Sequence, residues 1–231
     1  MPQKFTKQRL REVYWKSCSH EGYINIYVYR KISIRLAVIA AKLRMTPNQV
    51  TVWSFFFSMV AAAMFSFESM TIALLGLIPF HVGKILDCAD GQLASLTDQR
   101  SALGAFLDPF FDRIVDVATL FGLAFGYYLR TDSLVGIFLV LAFSVVMFVN
   151  AYLDKYSVAE EKTLDNLRST TKGLPPAVTR LAKWDGGFTG LIVTLALVFN
   201  VITPLIALFL LVALVTVPLQ FKKIYTRLKA A

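Results

Sequence analysis

Long apolar stretches restrict the fold of this chain more than any other feature of its sequence. Six of them, separated by polar or basic segments, occupy residues 50–67, 71–85, 103–129, 134–153, 188–200 and 205–221. A helix that crosses a bilayer needs roughly 17 to 25 mainly apolar residues. Most of the stretches reach that length once their polar ends are included, and Asn200 and Pro204 separate the last two. The sequence therefore predicts an all-α integral membrane protein with six transmembrane helices.

The composition supports this class. Of the 231 residues, 56% are hydrophobic and only 17% are charged, which is too apolar for an ordinary soluble domain. The net charge of +9 would also suit a nucleic-acid partner. In so apolar a chain, anionic lipid headgroups and phosphate-bearing substrates explain the charge better. We therefore expect membrane lipids as partners and no nucleic acid.

The positive charges predict the orientation of the helices. Of the 24 Lys and Arg residues, ten lie within the first 44 positions, six lie between residues 155 and 183, and four follow residue 221. The connections at 67–71, 130–133 and 200–204 carry at most one each. Because basic loops stay on the cytoplasmic side, we expect a multi-pass protein of the cell (plasma) membrane with both termini inside.

The first 46 residues form a basic leader with its own periodicity. Its apolar residues recur at helical spacing: Ile32, Leu36, Ile39 and Leu43. This pattern predicts a cytoplasmic amphipathic juxtamembrane helix in the headgroup region, although a helix docked on the bundle would show the same pattern. Thr46 is expected to cap the first transmembrane helix, and Pro47 suits its first position.

The whole chain is expected to be one domain, because no soluble insertion or repeat interrupts it. Its predicted parts are a basic amphipathic leader over residues 1–46, a six-helix bundle over 47–221 and a basic tail over 222–231.

An acidic pattern over residues 87–112 interrupts the apolar sequence. It has the form Asp-x2-Asp-Gly-x2-Ala-x9-Gly-x3-Asp-x3-Asp. Asp87 and Asp90 are one helical turn apart, as are Asp108 and Asp112, so each pair shares a helix face. Counting 1.5 Å per residue along the second and third apolar stretches places both pairs at the cytoplasmic boundary. The four carboxylates are therefore expected to meet there.

Four carboxylates at one depth would repel one another strongly without a counter-charge. Divalent cations relieve this repulsion, and oxygen ligands favour Mg²⁺ or Mn²⁺. Gly91 and Gly104 would let a ligand approach the backbone, and Ala94 keeps the next turn small. The pattern therefore predicts a metal site at Asp87, Asp90, Asp108 and Asp112 beside a ligand-binding surface.

These residues resemble the signature of the CDP-alcohol phosphotransferase family, DxxDGxxAR followed by eight residues and GxxxDxxxD. The matching positions are Asp87, Asp90, Gly91, Ala94, Gly104, Asp108 and Asp112. A basic leader, six membrane spans and the Thr-Pro-Asn segment at residues 46–48 are also similar to that family. Residues 30–35 and 46–51 look most like its inositol-phosphodiester branch.

The resemblance implies a metal-dependent enzyme of phospholipid or inositol-phosphodiester biosynthesis. Such an enzyme transfers a phosphoalcohol group of phosphatidyl type from a CDP-alcohol donor to an acceptor hydroxyl and releases CMP. It implies that Asp112 is the catalytic base, with a pure metal-ligand role as the alternative, and that the enzyme is a homodimer. The implied CDP-binding residues are Asp87, Gly91, Ala94, Ser95 and Gly104.

One position departs from the family pattern. Ser95 stands where the family has Arg, and Lys84, Arg100 or Arg113 is expected to supply the missing cation. Asp116 continues the acidic face one turn further, and His81 is expected to be a packed core residue. A phosphate-bearing acceptor would need cations, and the candidates are Arg113, Lys155, Arg168, Lys172 and Arg180. These cations could equally reflect the basic bias of cytoplasmic loops.

Other functions fit part of the pattern. A cation transporter also places aspartates inside a helical bundle, but it would need them along a path near the midplane rather than at one face. A structural or regulatory membrane protein would not need the full spacing. A catalytically inactive relative of the family is the third alternative.

Overall fold

The computed structural model describes residues 5–18, 21–146, 148–149 and 186–201, with further single positions up to 225. Within these residues all regular secondary structure is helical, which agrees with the all-α prediction. The helices are α1 Lys7–Ser17, α2 Arg30–Lys42, α3 Pro47–Phe65, α4 Met70–Leu75, α5 Leu77–Leu96, α6 Ala102–Thr131, α7 Leu134–Val146 and α8 Gly186–Val198. A π-helical turn, Asn25–Tyr29, leads into α2. The described positions between 204 and 225 are also helical.

Within the described part of the chain, two helical segments are long and apolar enough to cross a membrane. They are α3, with 19 residues, and the segment Met70–Leu96, with 27 residues, which contains α4 and α5. Helix α6 is longer still, with 30 residues, but its first half carries the acidic residues of the motif. Helices α7 and α8 contribute shorter apolar segments.

The start of α3 follows the prediction from its sequence. The Thr46 side chain accepts a hydrogen bond from the Gln49 backbone N–H at 3.3 Å, and the Gln49 side chain accepts one from the Thr46 N–H at 2.9 Å. This reciprocal capping box satisfies two backbone donors that the first turn leaves unpaired. Pro47 occupies the first turn, where its missing N–H has no cost.

Small residues allow α3, α5 and α6 to pack closely. A Cβ atom placed on Gly83 of α5 would lie 2.4 Å from the Ser58 Oγ of α3, and the Ser54 hydroxyl donates a hydrogen bond to the Gly83 carbonyl at 3.0 Å. A Cβ atom on Gly122 of α6 would lie 2.2 Å from the carbonyl oxygen of Ala62. The backbones of the three helices are therefore in contact where these glycines lie.

The buried apolar residues form two clusters. The larger cluster joins α3, α5, α6, α7 and α8, with Phe65, Phe80, Leu123 and Leu197 among its members. The second cluster joins the leader helices α1 and α2 to the start of α3 and the end of α5, and Leu93 is fully buried within it. The leader is therefore packed against the end of α5 that carries the acidic pattern.

Helix α2 forms where an amphipathic helix is predicted, and its small residues pack against the protein. Ser33, Ala37, Ala40 and Ala41 are buried, because these small residues let α2 approach α5. Of the four apolar residues that recur at helical spacing, Ile32, Ile39 and Leu43 are exposed, and Leu36 is half-buried against the second cluster. One face of α2 therefore docks on α5 and another leaves apolar side chains uncovered.

His81 links three helical segments through hydrogen bonds. Its Nδ1 lies 2.7 Å from the Tyr29 hydroxyl, and its Nε2 lies 2.9 Å from the Thr194 hydroxyl. The Thr194 hydroxyl donates to the Gly190 carbonyl, which leaves it an acceptor toward Nε2. The histidine is thus a packed residue that joins these segments, in agreement with the prediction from the sequence.

Replacing Gly122 tests the close packing of α6 on α3. Gly122→Ala places a methyl group against the Ala62 carbonyl, and we expect it to destabilise the fold by about 1 to 3 kcal/mol because the helices must separate. The measurement is the thermal unfolding midpoint of the purified protein in detergent.

Gly91→Ala is the matched control, since a Cβ atom at Gly91 meets nothing within 4 Å. This substitution in α5 should leave the unfolding midpoint unchanged or raise it, because alanine favours helix more than glycine does. Equal midpoints for the two variants would contradict the proposed contact.

Candidate functional site

The second half of α5 presents two carboxylates toward α3 and α6. Asp87 and Asp90 lie one turn apart, and Asp90 is buried, with 5% of its surface exposed. The Thr51 hydroxyl of α3 donates a hydrogen bond to Asp90 Oδ2 at 2.6 Å. The same hydroxyl lies 3.1 Å from the Pro47 carbonyl in the first turn of α3. Thr51 therefore fixes the orientation of the Asp90 carboxylate.

Helix α6 brings a third carboxylate to the same place. The Ser101 side chain caps α6 by accepting a hydrogen bond from the Gly104 N–H at 3.0 Å, and Asp108 follows one turn later. One carboxylate oxygen from each of Asp87, Asp90 and Asp108 lies within 4.8 Å of the other two. We refer to these three residues as the acidic cluster.

The acidic cluster has the properties of a divalent-cation site. Among the described residues, the ion pairs join Arg9 to Asp98, Arg30 to Glu21 and Arg113 to Asp116, so no salt bridge there neutralises the cluster. The donor atoms are all oxygens, which hard cations such as Mg²⁺ and Mn²⁺ prefer. A divalent cation therefore fits both the charge and the donor set of the cluster.

Asp112 lies one turn beyond Asp108 on α6. It lines a cavity of about 300 Å³ between α3, α5 and α6 together with Asp87, Asp108 and Lys84. It is not among the three carboxylates whose oxygens approach within 4.8 Å. Its side chain therefore borders the acidic cluster from the side of this cavity.

A larger cavity opens on the other side of the cluster. It encloses about 640 Å³, and Asp90, Gly91, Ala94, Gly104 and Asp108 all line it. We call it the glycine-lined cavity. The structure thus brings three of the predicted CDP-binding residues, Gly91, Ala94 and Gly104, together beside two members of the acidic cluster. Its other lining residues are Pro47, Asn48, Thr51, Gln99, Arg100, Ser101 and Ala105.

Comparison with known sequences agrees with this geometry. The sequence model of the family described as CDP-alcohol phosphatidyltransferase matches residues 44–219, which include the acidic cluster and both flanking cavities. The chain belongs to the CDP-alcohol phosphatidyltransferase family. The match begins just before α3 and therefore also includes the capping box and Thr51.

Individual members of the CDP-alcohol phosphatidyltransferase family are similar to parts of the chain. The archaetidylinositol phosphate synthase of Pyrococcus horikoshii is 37% identical over 110 residues, which cover 46% of this chain and 57% of that protein. The bifunctional IPC transferase and DIPP synthase of Aquifex aeolicus is 32% identical over 148 residues, which cover 61% of this chain and 33% of that protein. The similarity thus spans at most about half the length of these relatives.

Ser95, where the family pattern has Arg, lies beside the glycine-lined cavity. Its hydroxyl is 2.8 Å from Arg100 Nη2, and Arg100 lines the cavity. Lys84 and Arg113, the other two candidate cations, both line a separate and mainly apolar cavity between α5, α6, α7 and α8, and Lys84 also lines the smaller cavity beside Asp87, Asp108 and Asp112. Arg100 is therefore the one of the three that borders the cavity containing Gly91 and Gly104.

The acceptor-binding candidates are only partly described. Arg113 forms an ion pair with Asp116 at 3.2 Å, and its guanidinium lies over the Phe148 ring at 5.8 Å. The other candidates lie outside the described residues, namely Lys155, Arg168, Lys172 and Arg180.

The leader supports α5 directly behind the acidic cluster. The single Arg30 Nε–H is shared between the two Glu21 carboxylate oxygens, at 3.0 and 2.9 Å, Nη2 also donates to Glu21, and Nη1 donates to the Cys88 carbonyl at 3.0 Å. Burial alone would lower the pKa of Arg30, but bonding to Glu21 and nearby charges raise the pKa above its ordinary value. This arginine therefore stays cationic and ties α2 to α5 next to Asp87.

The sequence pattern does not indicate Thr51, Asn48 or Gln99 as residues of the site. Residues 46–51 predict the start of a helix, and Thr51 follows Pro47 by one turn of that helix. A threonine one turn into the first apolar helix can indicate a polar contact inside the bundle. Its partner, Asp90, is however 39 positions away in the sequence. Only the packing of α3 on α5 shows that the two side chains meet.

Thr51→Val tests the orientation of the cluster. Valine keeps the side-chain volume but removes the hydrogen bond to Asp90, and we expect the affinity for Mn²⁺ to fall by about 10- to 100-fold. Mn²⁺ binding is measured by titration calorimetry on the purified protein. Thr119→Val is the control, because the buried Thr119 hydroxyl has no hydrogen-bond partner in the described part of the chain. Equal Mn²⁺ affinity in both variants would show that Thr51 does not organise the site.

Proposed function

We propose that this protein transfers a phosphoalcohol group of phosphatidyl type from a CDP-alcohol to an acceptor hydroxyl and releases CMP. The observation that carries the proposal is the acidic cluster, whose three carboxylates from α5 and α6 approach within 4.8 Å beside the glycine-lined cavity. Membership of the CDP-alcohol phosphatidyltransferase family supports the same chemistry.

Asp87, Asp90 and Asp108 would hold the divalent cation, which we propose to be Mg²⁺ or Mn²⁺. When bound, such a cation neutralises phosphate charge and makes the departing CMP a better leaving group. The protein residues arrange this site before the substrate arrives, because Thr51 holds Asp90 and the packing of α3 on α5 fixes Asp87. Asp112 remains an alternative fourth ligand.

We propose that Asp112 is the general base. It borders the acidic cluster, but it is not one of the three residues whose carboxylate oxygens lie within 4.8 Å of one another. Its carboxylate can therefore accept a proton. The acceptor oxygen attacks the phosphorus that carries the donor alcohol and forms a new P–O bond. The P–O bond to CMP breaks, CMP leaves with the electron pair, and the acceptor proton passes to Asp112.

The donor would bind in the glycine-lined cavity. Gly91 leaves open space, since a Cβ atom there would meet nothing within 4 Å, and Gly104 faces the Asn48 side chain. Ala94 keeps the wall between these positions small, so backbone and ligand can come close. Asp87 and Ser95 complete the proposed CDP-binding set from the adjoining turns of α5.

The names of the relatives suggest the acceptor class. One is an archaetidylinositol phosphate synthase and others are bifunctional IPC transferases and DIPP synthases. We propose that this chain also serves phospholipid or inositol-phosphodiester synthesis, with an acceptor that carries a phosphate. Its cations would include Arg113, together with the candidates Lys155, Arg168, Lys172 and Arg180.

We propose that the whole chain is one membrane domain with six transmembrane helices, embedded in the cell membrane with its active site facing the cytoplasm. The two membrane-length helical segments support this, as do the large apolar side chains exposed along α6, such as Phe106, Phe110 and Phe121. Helix α2 would lie in the headgroup region, with Ile32 and Ile39 toward lipid. A homodimer is proposed from the resemblance to the family.

Release of CMP tests the proposed reaction. Purified protein is incubated with Mg²⁺ or Mn²⁺ and one donor, which is CDP-diacylglycerol, CDP-dialkylglycerol or a soluble CDP-alcohol. Each donor is paired with one acceptor, which is inositol phosphate, glycerol phosphate or serine. The CMP released is quantified by chromatography. We expect CMP to form only with metal present and only with a matching pair. Metal binding without CMP release in every pairing would favour a cation transporter or an inactive relative.

Asp112→Asn separates the roles of base and ligand. We expect turnover to fall by about 100- to 10,000-fold because the amide cannot accept the proton, with Mn²⁺ affinity nearly unchanged. Asp116→Asn is the control, since Asp116 is already paired with Arg113 and should retain most activity. A parallel loss of Mn²⁺ binding in Asp112→Asn would make Asp112 a metal ligand instead. Near-normal turnover would remove Asp112 from the mechanism.

A further inference from the structure

The turn between α5 and α6 forms one wall of the glycine-lined cavity. Residues 97–101 connect the two helices, and Gln99, Arg100 and Ser101 line the cavity opposite Asp90 and Asp108. The turn begins at Asp98, whose φ of 56° lies in the left-handed region and ends α5 sharply. The chain reversal therefore carries Arg100 back toward Ser95, five positions earlier.

Ser95 holds the Arg100 guanidinium with a defined orientation. The Ser95 hydroxyl donates its proton to the Gly91 carbonyl at 2.8 Å and accepts a hydrogen bond from Arg100 Nη2, also at 2.8 Å. A hydroxyl has a single proton, so its use on Gly91 leaves only lone pairs for Arg100. Ser95 can therefore act only as an acceptor toward the guanidinium.

Arg9 of the leader fixes the same turn from the other side. Its Nη2 donates to the Ser95 carbonyl at 3.1 Å and to Asp98 Oδ1 at 2.9 Å. These contacts hold both the last turn of α5 and the residue that ends it. The position of Arg100 is thus determined by helix α1 as well as by Ser95.

The charge pattern of the cavity matches a bound phosphate group. Asp90 and Asp108 are acidic, and Arg100 is the one Lys or Arg among the described residues that line the cavity. A guanidinium carries five N–H donors in a planar fork, and the contact with Ser95 uses one of them. In a ligand with two adjacent phosphates, one phosphate would bind a metal held by the acidic cluster. The other phosphate would meet Arg100.

We infer that Arg100 binds a phosphate of the donor pyrophosphate and that Ser95 is its positioning residue. This inference rests on the proposed function. The guanidinium is supplied from the turn, five residues beyond Ser95, and α1 keeps that turn in place. Arg100 then contributes mainly to donor affinity, because it contacts the donor and lies away from Asp112.

Binding of CDP and of inorganic pyrophosphate tests the inference. Calorimetric titrations with Mn²⁺ present compare the full-length wild type with Arg100→Gln and Ser95→Ala. We expect Kd for both probes to rise about 10- to 100-fold in Arg100→Gln, as for loss of a charged hydrogen bond. In Ser95→Ala we expect a rise of about two- to tenfold, because the guanidinium remains but is no longer held.

Two controls match these variants. Arg11→Gln removes one positive charge from an exposed position on α1, and Thr97→Ala removes a hydroxyl that bonds the Leu93 carbonyl at 2.8 Å without contacting Arg100. Both should bind CDP as the wild type does. If Arg11→Gln weakens binding as much as Arg100→Gln, the effect comes from overall charge and the inference is wrong.

Kinetics distinguish positioning from a general structural defect. We expect Ser95→Ala and Arg100→Gln to raise KM for the donor while leaving KM for the acceptor unchanged, and Arg100→Lys to restore part of the donor affinity. If Arg100→Gln binds CDP as tightly as the wild type does, the inference is wrong but the proposed function still stands. Wild-type protein that binds neither CDP nor pyrophosphate overturns both.

Discussion

A polar seam between α3 and α5 holds the candidate site together. Thr51, Ser54 and Ser58 occupy one face of α3, and they meet α5 along the face that contains Gly83 and Asp90. A side chain larger than hydrogen at Gly83 would collide with Ser58 and separate the helices. The contact of 2.6 Å between Thr51 and Asp90 would then be lost, so the position of this carboxylate of the acidic cluster depends on a glycine two turns away.

The same packing explains how three carboxylates can stand so close together. Their mutual repulsion is strong in surroundings of low dielectric constant, and no described salt bridge relieves it. Of the nearby cations, Lys84 borders the cavity beside the cluster, and Arg30 is engaged with Glu21 and with the Cys88 carbonyl. The helices are therefore held by apolar clusters and by the polar seam, and the excess of carboxylates over cations at the cluster is a charge that a divalent cation can offset.

Helical periodicity was sufficient to predict much of the architecture and part of the site. The one-turn spacing of Asp87 and Asp90 and the equal depth of Asp108 predicted a meeting of carboxylates that the structure shows. The capping residues Thr46 and Pro47 were also predicted, because a cap is decided by neighbours within one turn. These features depend on local sequence, or on helix lengths that can be counted.

The remaining features depend on which helix faces meet, and periodicity does not contain that information. The apolar positions of α2 fitted both a helix in the headgroup region and a helix docked on the bundle, and they did not indicate that small residues such as Ala37 and Ala40 pack on α5, where they permit a closer approach. Thr51 gained its role only through contact with α5. Asp112 shares its helix face with Asp108, and both line the smaller cavity, but Asp108 also reaches the glycine-lined cavity and Asp112 does not. Asp112 therefore lies beside the acidic cluster, and its oxygens are not among those within 4.8 Å of one another.

The basic residues around the second half of α5 show how one property of the sequence can have two physical origins. The bias in Lys and Arg predicted orientation, and lipid headgroups would account for it without any specific contact. Three of these arginines nevertheless have defined partners: Arg9 with Asp98, Arg30 with Glu21 and Arg100 with Ser95. All three contacts lie around the second half of α5, where the carboxylates are. The positive charge there is thus fixed in position relative to the acidic cluster, which a freely moving lysine at a headgroup would not be. A fixed cation facing a candidate metal site suits the recognition of a diphosphate.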